Sequence, residues 1–168
     1  MESMKRIIGV MGGSSCTPEE YEQARAVGRW IAERGFILLC GGGSGVMEAA
    51  ARGAKEADGW TVGILPGSDA RESPPNAYID IVVFTGLSDA RNAVNVKPAE
   101  AVIAIGGGPG TLSEIGLALR NGKPVFALRT WAVARDGADL SRFHPVDSLD
   151  DPRVHDLDAD IVEDEVAR

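Results

Sequence analysis

Short apolar segments alternate with longer amphipathic segments along this chain. Each apolar segment is rich in Val, Ile and Leu, and polar residues do not occupy every second position. Uninterrupted apolar runs of this length are typical of strands that are buried on both faces of a parallel sheet. Strands are therefore predicted at 6–11, 36–40, 61–65, 79–84, 101–105 and 124–128.

The segments between these strands carry helical patterns with start and stop signals. Residues 17–20 (Thr-Pro-Glu-Glu) form a capping box with proline at the first helical position, and residues 111–114 fit the same box. Gly35 and Gly122 stand where helix C-caps belong. Helices are predicted near 18–34, 45–57, 88–97 and 111–121.

The order of these elements indicates the fold class. Strands that alternate with helices favour right-handed crossovers and a doubly wound, mostly parallel sheet with helices on both faces. A chain of 168 residues is long enough for one such domain. We therefore expect an α/β fold with a single Rossmann-like domain over 1–146 and an acidic tail of the same domain over 147–168. Residues 129–168 show no clear periodicity and are predicted to be irregular.

The formal net charge of −8 is concentrated near the C-terminus. Residues 147–168 contribute −7, which leaves −1 for residues 1–146. Domains that bind nucleic acid usually carry a basic face, and the composition indicates none. The charge distribution therefore argues against a nucleic-acid partner, whereas the nearly neutral main domain can host an anionic ligand.

Hydropathy and cysteine content bear on location. The chain has no apolar run of about 18 residues, so no membrane span or membrane partner is expected. The apolar segment after Lys5 and Arg6 is too short for the core of a signal peptide. Cys16 and Cys40 suggest free thiols in a reducing compartment, although the sequence is also compatible with a disulfide between them. The expected location is the cytoplasm.

The chain contains 21 glycines. Some of them form three clusters, each between a predicted strand and a predicted helix. In an open α/β sheet, ligands bind beyond the carboxyl ends of the strands. Glycine lets backbone N–H groups approach a phosphate, and a helix start adds partial positive charge. The clusters therefore predict a site for a small phosphorylated ligand, the alternative being that they serve only tight turns and close packing. The predicted binding residues are Gly12, Gly13, Ser14, Ser15, Gly41, Gly42, Gly43, Ser44, Gly45, Met47, Gly106, Gly107, Gly108, Gly110 and Thr111.

Several other kinds of site are excluded by the motifs. Val46 and Thr111 stand where the dinucleotide fingerprint requires Gly or Ala, and no P-loop motif is present. Ser44 lacks the final glycine of a nucleophile elbow. His144 and His155 lie far along the chain from every glycine cluster. Neither a nucleophilic triad nor a metal site is predicted.

Residues 106–114, Gly-Gly-Gly-Pro-Gly-Thr-Leu-Ser-Glu, resemble the Pro-Gly-Gly-x-Gly-Thr-x-x-Glu motif of the Lonely Guy (LOG) family. Arg91 stands where the Arg-Lys-x-x-Met element of that family falls, and residues 40–47 resemble its Gly-Gly-Gly segment. The likeness covers most of residues 5–128. It implies an enzyme that cleaves the base from a cytokinin nucleoside 5′-monophosphate, with Arg91 and Glu114 as catalytic residues.

The same region also resembles a second branch of this superfamily. Asn92 and Asn95 replace the lysine and the methionine of the LOG element. Segments 89–92 and 63–67 are similar to the branch that contains the molybdenum cofactor carrier protein. This likeness implies, as the alternative function, a carrier that binds molybdenum cofactor or a nucleotide without catalysis. Both branches imply a bound AMP-like nucleotide or molybdopterin cofactor, no further required cofactor, and a homodimer or homotetramer.

Glu114 and Arg91 suit the cleavage of an N-glycosidic bond. The transition state resembles an oxocarbenium ion, and a carboxylate near the anomeric carbon stabilises that charge or orients water. Arg91 can bind a phosphate bidentately or hold Glu114 in position. Glu114 also fits the last position of the capping box begun by Thr111, so a structural role stays open. Lysine decarboxylation is excluded, because it needs pyridoxal phosphate on a lysine and no lysine lies in a glycine cluster.

Overall fold

The computed structural model describes residues 4–157, and seven strands lie within that range. The predicted strands agree with the observed ones to within one residue, except that the fourth begins two residues later than predicted. The strands are β1 (Ile7–Gly12), β2 (Ile37–Cys40), β3 (Thr61–Leu65), β4 (Ile81–Phe84), β5 (Ala101–Ile105), β6 (Val125–Leu128) and β7 (Phe143–Val146). The helices between them are α1 (Pro18–Glu33), α2 (Val46–Glu56), α3 (Arg91–Val96) and α4 (Pro109–Arg120), and a 3-10 turn (Ser88–Ala90) precedes α3.

The seven described strands form one sheet in the order β4-β3-β2-β1-β5-β6-β7. Every neighbouring pair is parallel. The chain moves outward from β1 to β4 and then returns to β5 on the other side of β1. The strand order therefore reverses between β1 and β5, which opens a crevice at their carboxyl ends. The predicted doubly wound, Rossmann-like α/β fold is confirmed.

The sheet is covered by helices on both faces, as its uniformly apolar strands predict. Along β5, Ile103 and Ile105 belong to an apolar cluster with residues of α1 and α2. Val102 and Ala104, which alternate with them, belong to a second cluster with residues of α3 and α4. Each face thus has its own core. None of the helices within residues 4–157 has both the length and the apolar character needed to cross a membrane.

The predicted irregular segment over 129–168 contains a seventh strand, so that prediction is wrong in part. β7 pairs with β6 in parallel, with Phe143 opposite Val125. Its sequence, Phe-His-Pro-Val, lacks an apolar run, and a proline is tolerated because β7 is an edge strand. A helical stretch follows from residue 152, and Val154 and Leu157 are buried against the first core cluster. The rest of the predicted acidic tail, 158–168, lies outside the described residues.

Helix ends follow the predicted signals in three of four places. Thr17 and Glu20 form the reciprocal capping box of α1, and both Gly35 and Gly122 adopt positive φ just after helix C-caps. The second predicted box is wrong, because α4 begins at Pro109 and not near Thr111. The Pro109 ring suits the first helical turn, so the helix starts two residues earlier and frees Glu114 from any capping role.

Replacing Thr17 with alanine is expected to lower the free energy of unfolding by about 1 kcal/mol. The Thr17 hydroxyl oxygen accepts the Glu20 N–H at 3.1 Å, and alanine leaves that amide without its cap. Chemical denaturation measures the change. Thr17→Ser keeps the hydroxyl and is the matched control, so an equal loss in both variants would contradict the capping role.

Candidate functional site

A cleft of about 600 Å³ lies at the carboxyl ends of the central strands, where the strand order reverses. Three glycine loops follow these strands: the β1 loop (12–15), the β2 loop (41–45) and the β5 loop (106–110). The 3-10 turn and α3 complete the wall. The predicted residues that line the cleft are Gly12, Gly13, Ser14, Ser15, Gly41, Met47, Arg91, Gly107, Gly108, Gly110, Thr111 and Glu114.

Most of the β2 loop lies outside the cleft lining and supports the neighbouring loops through hydrogen bonds. The Ser44 hydroxyl donates a hydrogen bond to the carbonyl oxygen of Ser14 at 2.7 Å. The Asn76 side-chain amide donates to the carbonyl oxygen of Gly43 at 2.8 Å. The first bond fixes the β2 loop to the β1 loop, and the second fixes it to the segment between β3 and β4. The predicted residues that do not line the cleft are Gly42, Gly43, Ser44, Gly45 and Gly106.

The β5 loop leads into α4 through a helix start without a side-chain cap. Gly108 is the N-cap residue and Pro109 follows in the first turn; within residues 4–157, no side chain caps this helix. In α1, by contrast, the N-cap residue Thr17 and Glu20, three residues later, form a capping box. The first amides of α4 and the positive end of its dipole are therefore available to a ligand in the cleft. Phosphate groups commonly bind at such helix starts.

Two glycines of the cleft stand where their immediate surroundings leave no room for a side chain. Gly107 has φ +82°, and a Cβ atom there would lie 2.1 Å from Thr111 Oγ1. A Cβ atom on Gly13 would lie 2.7 Å from the carbonyl oxygen of Ser15. A side chain at Gly107 would be both strained and obstructed. The glycines at this point are thus required by the backbone geometry of the cleft.

Glu114 lines the cleft, although its side chain is only 7% exposed. The Asn95 side-chain amide donates a hydrogen bond to Glu114 Oε2 at 2.9 Å. Burial raises the pKa of Glu114 to about 7, while the Asn95 bond and the positive charge of Arg91 oppose that rise. A carboxyl group that titrates near neutral pH in a cleft is suited to acid–base or charge-stabilising work.

Arg91 is the only cation among the described residues that line the cleft, and two acids, Asp89 and Glu114, line it as well. Its Nη1 donates a hydrogen bond to the carbonyl oxygen of Ile64 at 3.2 Å. Its guanidinium also packs beneath Gly41, where a Cβ atom would lie 2.2 Å from Nη1. The cleft therefore has no excess of positive side chains, and backbone amides must supply most of any anion binding.

Some residues at the site were not identified from the sequence. Asn95 is fully buried between α3 and α4 as the partner of Glu114. Asn92 lines the cleft, and its side-chain amide donates to Ser113 Oγ at 2.9 Å. Periodicity offers no signal for either, because α3 has only six residues. The available signal was their place in the LOG element, where they replace the lysine and the methionine. The other lining residues absent from the prediction are Val10, Met11, Pro66, Asp89 and Pro109.

Both cysteines are free, and Cys40 lies beneath the cleft. Burial raises the pKa of the Cys40 thiol to about 12, so it stays protonated and unreactive at neutral pH. Cys16 is half-buried, and burial together with Glu20 and Glu48 raises the pKa of its thiol. The expectation of free thiols agrees with the structure for both residues.

A family model described as the SLOG cluster4 family matches residues 5–151. Two solved structures are similar over about three quarters of the chain. The molybdenum cofactor binding protein of the phototrophic bacterium Rippkaea orientalis is 47% identical with a TM-score of 0.73, covering 78% of this chain and 80% of that chain. The molybdenum cofactor carrier protein of Chlamydomonas reinhardtii is 43% identical with a TM-score of 0.69, covering 76% and 79%.

A curated enzyme is similar over a shorter segment. The cytokinin riboside 5′-monophosphate phosphoribohydrolase of Mycobacterium marinum is 38% identical over 99 residues. That segment is 58% of this chain and 53% of the enzyme. The chain thus spans about half the length of this relative.

Proposed function

This chain belongs to the SLOG cluster4 family, and from that membership and the cleft geometry we propose that it binds a small phosphorylated heterocycle of the nucleotide type. Amides of the β5 loop and the first turn of α4 hold the phosphate, with the β1 loop beside them. The observation that carries the proposal is that an uncapped helix start and a buried carboxyl group line the same cleft.

The charge of the cleft supports a ligand with a single phosphate group. Arg91 is balanced by Asp89 and Glu114 among the described lining residues. One helix start supplies about half a positive charge. A polyphosphate would bring several negative charges without cations to match them. The proposed class is therefore a nucleoside 5′-monophosphate or another heterocycle that carries one phosphate monoester.

The activity that this geometry supports best is hydrolysis of the N-glycosidic bond of a nucleoside 5′-monophosphate. Water attacks the anomeric carbon, the carbon–nitrogen bond breaks, and the products are the free base and ribose 5-phosphate. Glu114 stabilises the oxocarbenium-like transition state or accepts a proton from the attacking water. The positive charge of Arg91, in the wall of the cleft, stabilises the negative charge of the bound substrate. The likeness to the Mycobacterium marinum phosphoribohydrolase supports this activity.

Binding and turnover are tested separately. Calorimetry compares AMP with adenosine, and AMP is expected to bind more tightly because only AMP offers a phosphate to the β5 loop. Chromatography then measures base release from AMP, CMP, GMP and an N6-substituted AMP. Equal affinity for AMP and adenosine would overturn the phosphate site. Binding without base release would overturn hydrolysis alone.

The second candidate function is a carrier that binds molybdenum cofactor as cargo. The two similar molybdenum cofactor proteins, at 47% and 43% identity, support it. The cargo carries a pterin ring and one phosphate monoester, so the same backbone amides suit it. Mass spectrometry with molybdenum and phosphorus analysis tests this function on protein purified without oxygen. A carrier is expected to hold stoichiometric ligand and to show no turnover.

We also propose that the protein is a homodimer or homotetramer in which β4 contacts a second copy. Ile81, Val83 and Phe84 are exposed on this edge strand, and Leu87 is exposed just beyond it. Open apolar strand edges are typical pairing surfaces. Val83→Lys is expected to lower the mass measured by light scattering to that of a monomer, and Glu33→Lys on α1 is the control. If the Val83→Lys variant has the same mass as the wild type, β4 is not the interface.

We propose a cytoplasmic location on the basis of the thiols. Cys16 and Cys40 are both free in the described chain. Free thiols persist where glutathione and thioredoxin keep proteins reduced. The small ligand and further copies of the chain are the partners proposed for the protein, and nucleic acid is not among them.

A further inference from the structure

The segment directly after β6 holds two carbonyl groups of the β5 loop. The Thr130 hydroxyl donates a hydrogen bond to the carbonyl oxygen of Gly106 at 2.6 Å. The Trp131 indole N–H donates to the carbonyl oxygen of Gly108 at 3.0 Å. β6 lies on the side of β5 that is away from β1, so both side chains approach the β5 loop from its outer side.

The backbone brings Thr130 and Trp131 to this position in a defined way. β5 and β6 are paired up to their last residues, with Ile105 opposite Leu128, so their loops leave the sheet side by side. Arg129 then adopts a left-handed conformation with φ +48°, which is uncommon for a residue other than glycine. Its guanidinium forms an ion pair with Glu19 at the start of α1. The sharp turn at Arg129 directs the next two residues towards the β5 loop.

The bond from Thr130 determines where an amide of the β5 loop points. In a trans peptide unit the carbonyl and the following N–H point in opposite directions. Because the Gly106 carbonyl is held towards β6, the Gly107 N–H is directed away from β6. Gly107 lines the cleft, so this N–H lies on the side of the proposed phosphate. The same bond keeps the negative end of the Gly106 carbonyl away from the ligand.

Trp131 acts on the other end of the β5 loop. The Gly108 carbonyl that it contacts also accepts the Leu112 N–H at 3.1 Å, which is the first hydrogen bond of α4. Trp131 therefore anchors the helix start whose amides are available to a ligand. Its side chain stays 38% exposed, so its fluorescence can respond to changes in the β5 loop that it contacts.

We propose that Thr130 and Trp131 are positioning residues that hold the β5 loop ready for a phosphate monoester. The proposal rests on the proposed function, because it concerns the same phosphate site. Preorganised amides need no rearrangement when the anion arrives, so less of the interaction energy is lost to ordering the loop. Loss of either bond weakens phosphate binding without removing any group that touches the ligand.

The test compares Thr130→Val with Thr130→Ser. Valine has the shape of threonine but cannot donate a hydrogen bond, whereas serine keeps the hydroxyl. Calorimetry measures the affinity for AMP and for inorganic phosphate. Thr130→Val is expected to weaken both by about tenfold, and Thr130→Ser is expected to bind like the wild type. A nitrogen–proton NMR spectrum is expected to show the Gly107 amide shifting on AMP addition in the wild type and much less in Thr130→Val.

Trp131→Phe provides an independent variant. Phenylalanine keeps a ring and removes the N–H donor, so a severalfold loss of AMP affinity is expected. The change in tryptophan fluorescence on AMP addition is also expected to disappear, although Trp30 and Trp60 remain. If Thr130→Val fails to fold, the affinity of Trp131→Phe decides the question.

The outcomes separate this inference from the proposed function. A wild-type protein that binds neither AMP nor inorganic phosphate overturns both. Wild-type binding with unchanged affinity in folded Thr130→Val and Trp131→Phe overturns the positioning role alone. Equal loss in Thr130→Val and Thr130→Ser also overturns it, because the hydroxyl would then not be the group that matters.

Discussion

At pH 8, the Glu114→Gln variant is expected to unfold at a higher temperature than the wild type. Its rate of base release is expected to fall to about 1% of the wild-type rate or lower. Both effects have one cause. The carboxyl group is buried in the cleft with Asn95 as its hydrogen-bond partner, where its charge is costly to the fold and useful to the reaction.

The stability effect follows from the pKa of Glu114. Burial raises that pKa from 4.5 to about 7. Between these values the unfolded chain releases the proton while the folded protein keeps it, so the free energy of unfolding falls as pH rises through this window. Above about pH 7 the accumulated loss is about 3 kcal/mol. Glutamine is neutral at every pH and keeps an oxygen that can accept the Asn95 amide, so the variant avoids this loss.

Thermal and chemical denaturation at pH 4 and pH 8 measure the effect. The advantage of Glu114→Gln is expected at pH 8 and is expected to be nearly lost at pH 4, where the wild-type carboxyl group is largely protonated in both states. Glu33→Gln removes an exposed carboxylate of α1 and is the control, with an expected change within about 0.5 kcal/mol. An unchanged stability of Glu114→Gln at pH 8 contradicts the burial argument.

The rate effect discriminates between the two candidate functions. A glutamine can neither accept a proton nor carry the charge that offsets an oxocarbenium ion. AMP binding is expected to persist in Glu114→Gln, since the backbone amides of the β5 loop hold the phosphate. Base release that is equal in both proteins would contradict catalysis by Glu114. No release from either protein, with tight ligand binding, favours the carrier.

Replacing Gly107 with alanine is expected to lower the affinity for AMP about a hundredfold, which corresponds to about 2.7 kcal/mol. Gly107 has φ +82°, and the added Cβ atom would lie 2.1 Å from Thr111 Oγ1. The β5 loop must shift to relieve this contact, which moves the amides of the loop away from the phosphate. Calorimetry with AMP measures the loss.

Gly116→Ala is the matched control for this variant. Gly116 lies in α4, and a Cβ atom there meets no atom within 4 Å among the described residues. Alanine in a helix interior is expected to stabilise the protein by about 0.5–1 kcal/mol and to leave AMP affinity unchanged. Wild-type affinity in a folded Gly107→Ala protein would place the phosphate elsewhere.

The predicted and observed elements differ most at β7 and at the start of α4. β7 contains His144 and Pro145, and it is a strand because β6 offers it an open edge. The start of α4 is displaced because Pro109 can open a helix two residues before the predicted box. The strand β7 depends on what the segment contacts, and a pattern of apolar and polar positions cannot contain that information. The start of α4 is a local feature, which Pro109 marks more strongly than the capping-box match at Thr111.

The pattern of residues along the chain was sufficient for the fold class, for six of the seven described strands and for the position of the glycine loops. Burial on both faces selects uniform apolar runs, and tight strand-to-helix turns select glycine. Tertiary structure alone decided which loop stays open to a ligand and how its carboxyl group titrates. Asn95 and Glu114 are 19 residues apart, and Gly106 and Thr130 are 24 apart. Hydrogen bonds and burial at such separations arise only when the sheet brings distant segments together, and these interactions give the cleft its chemistry.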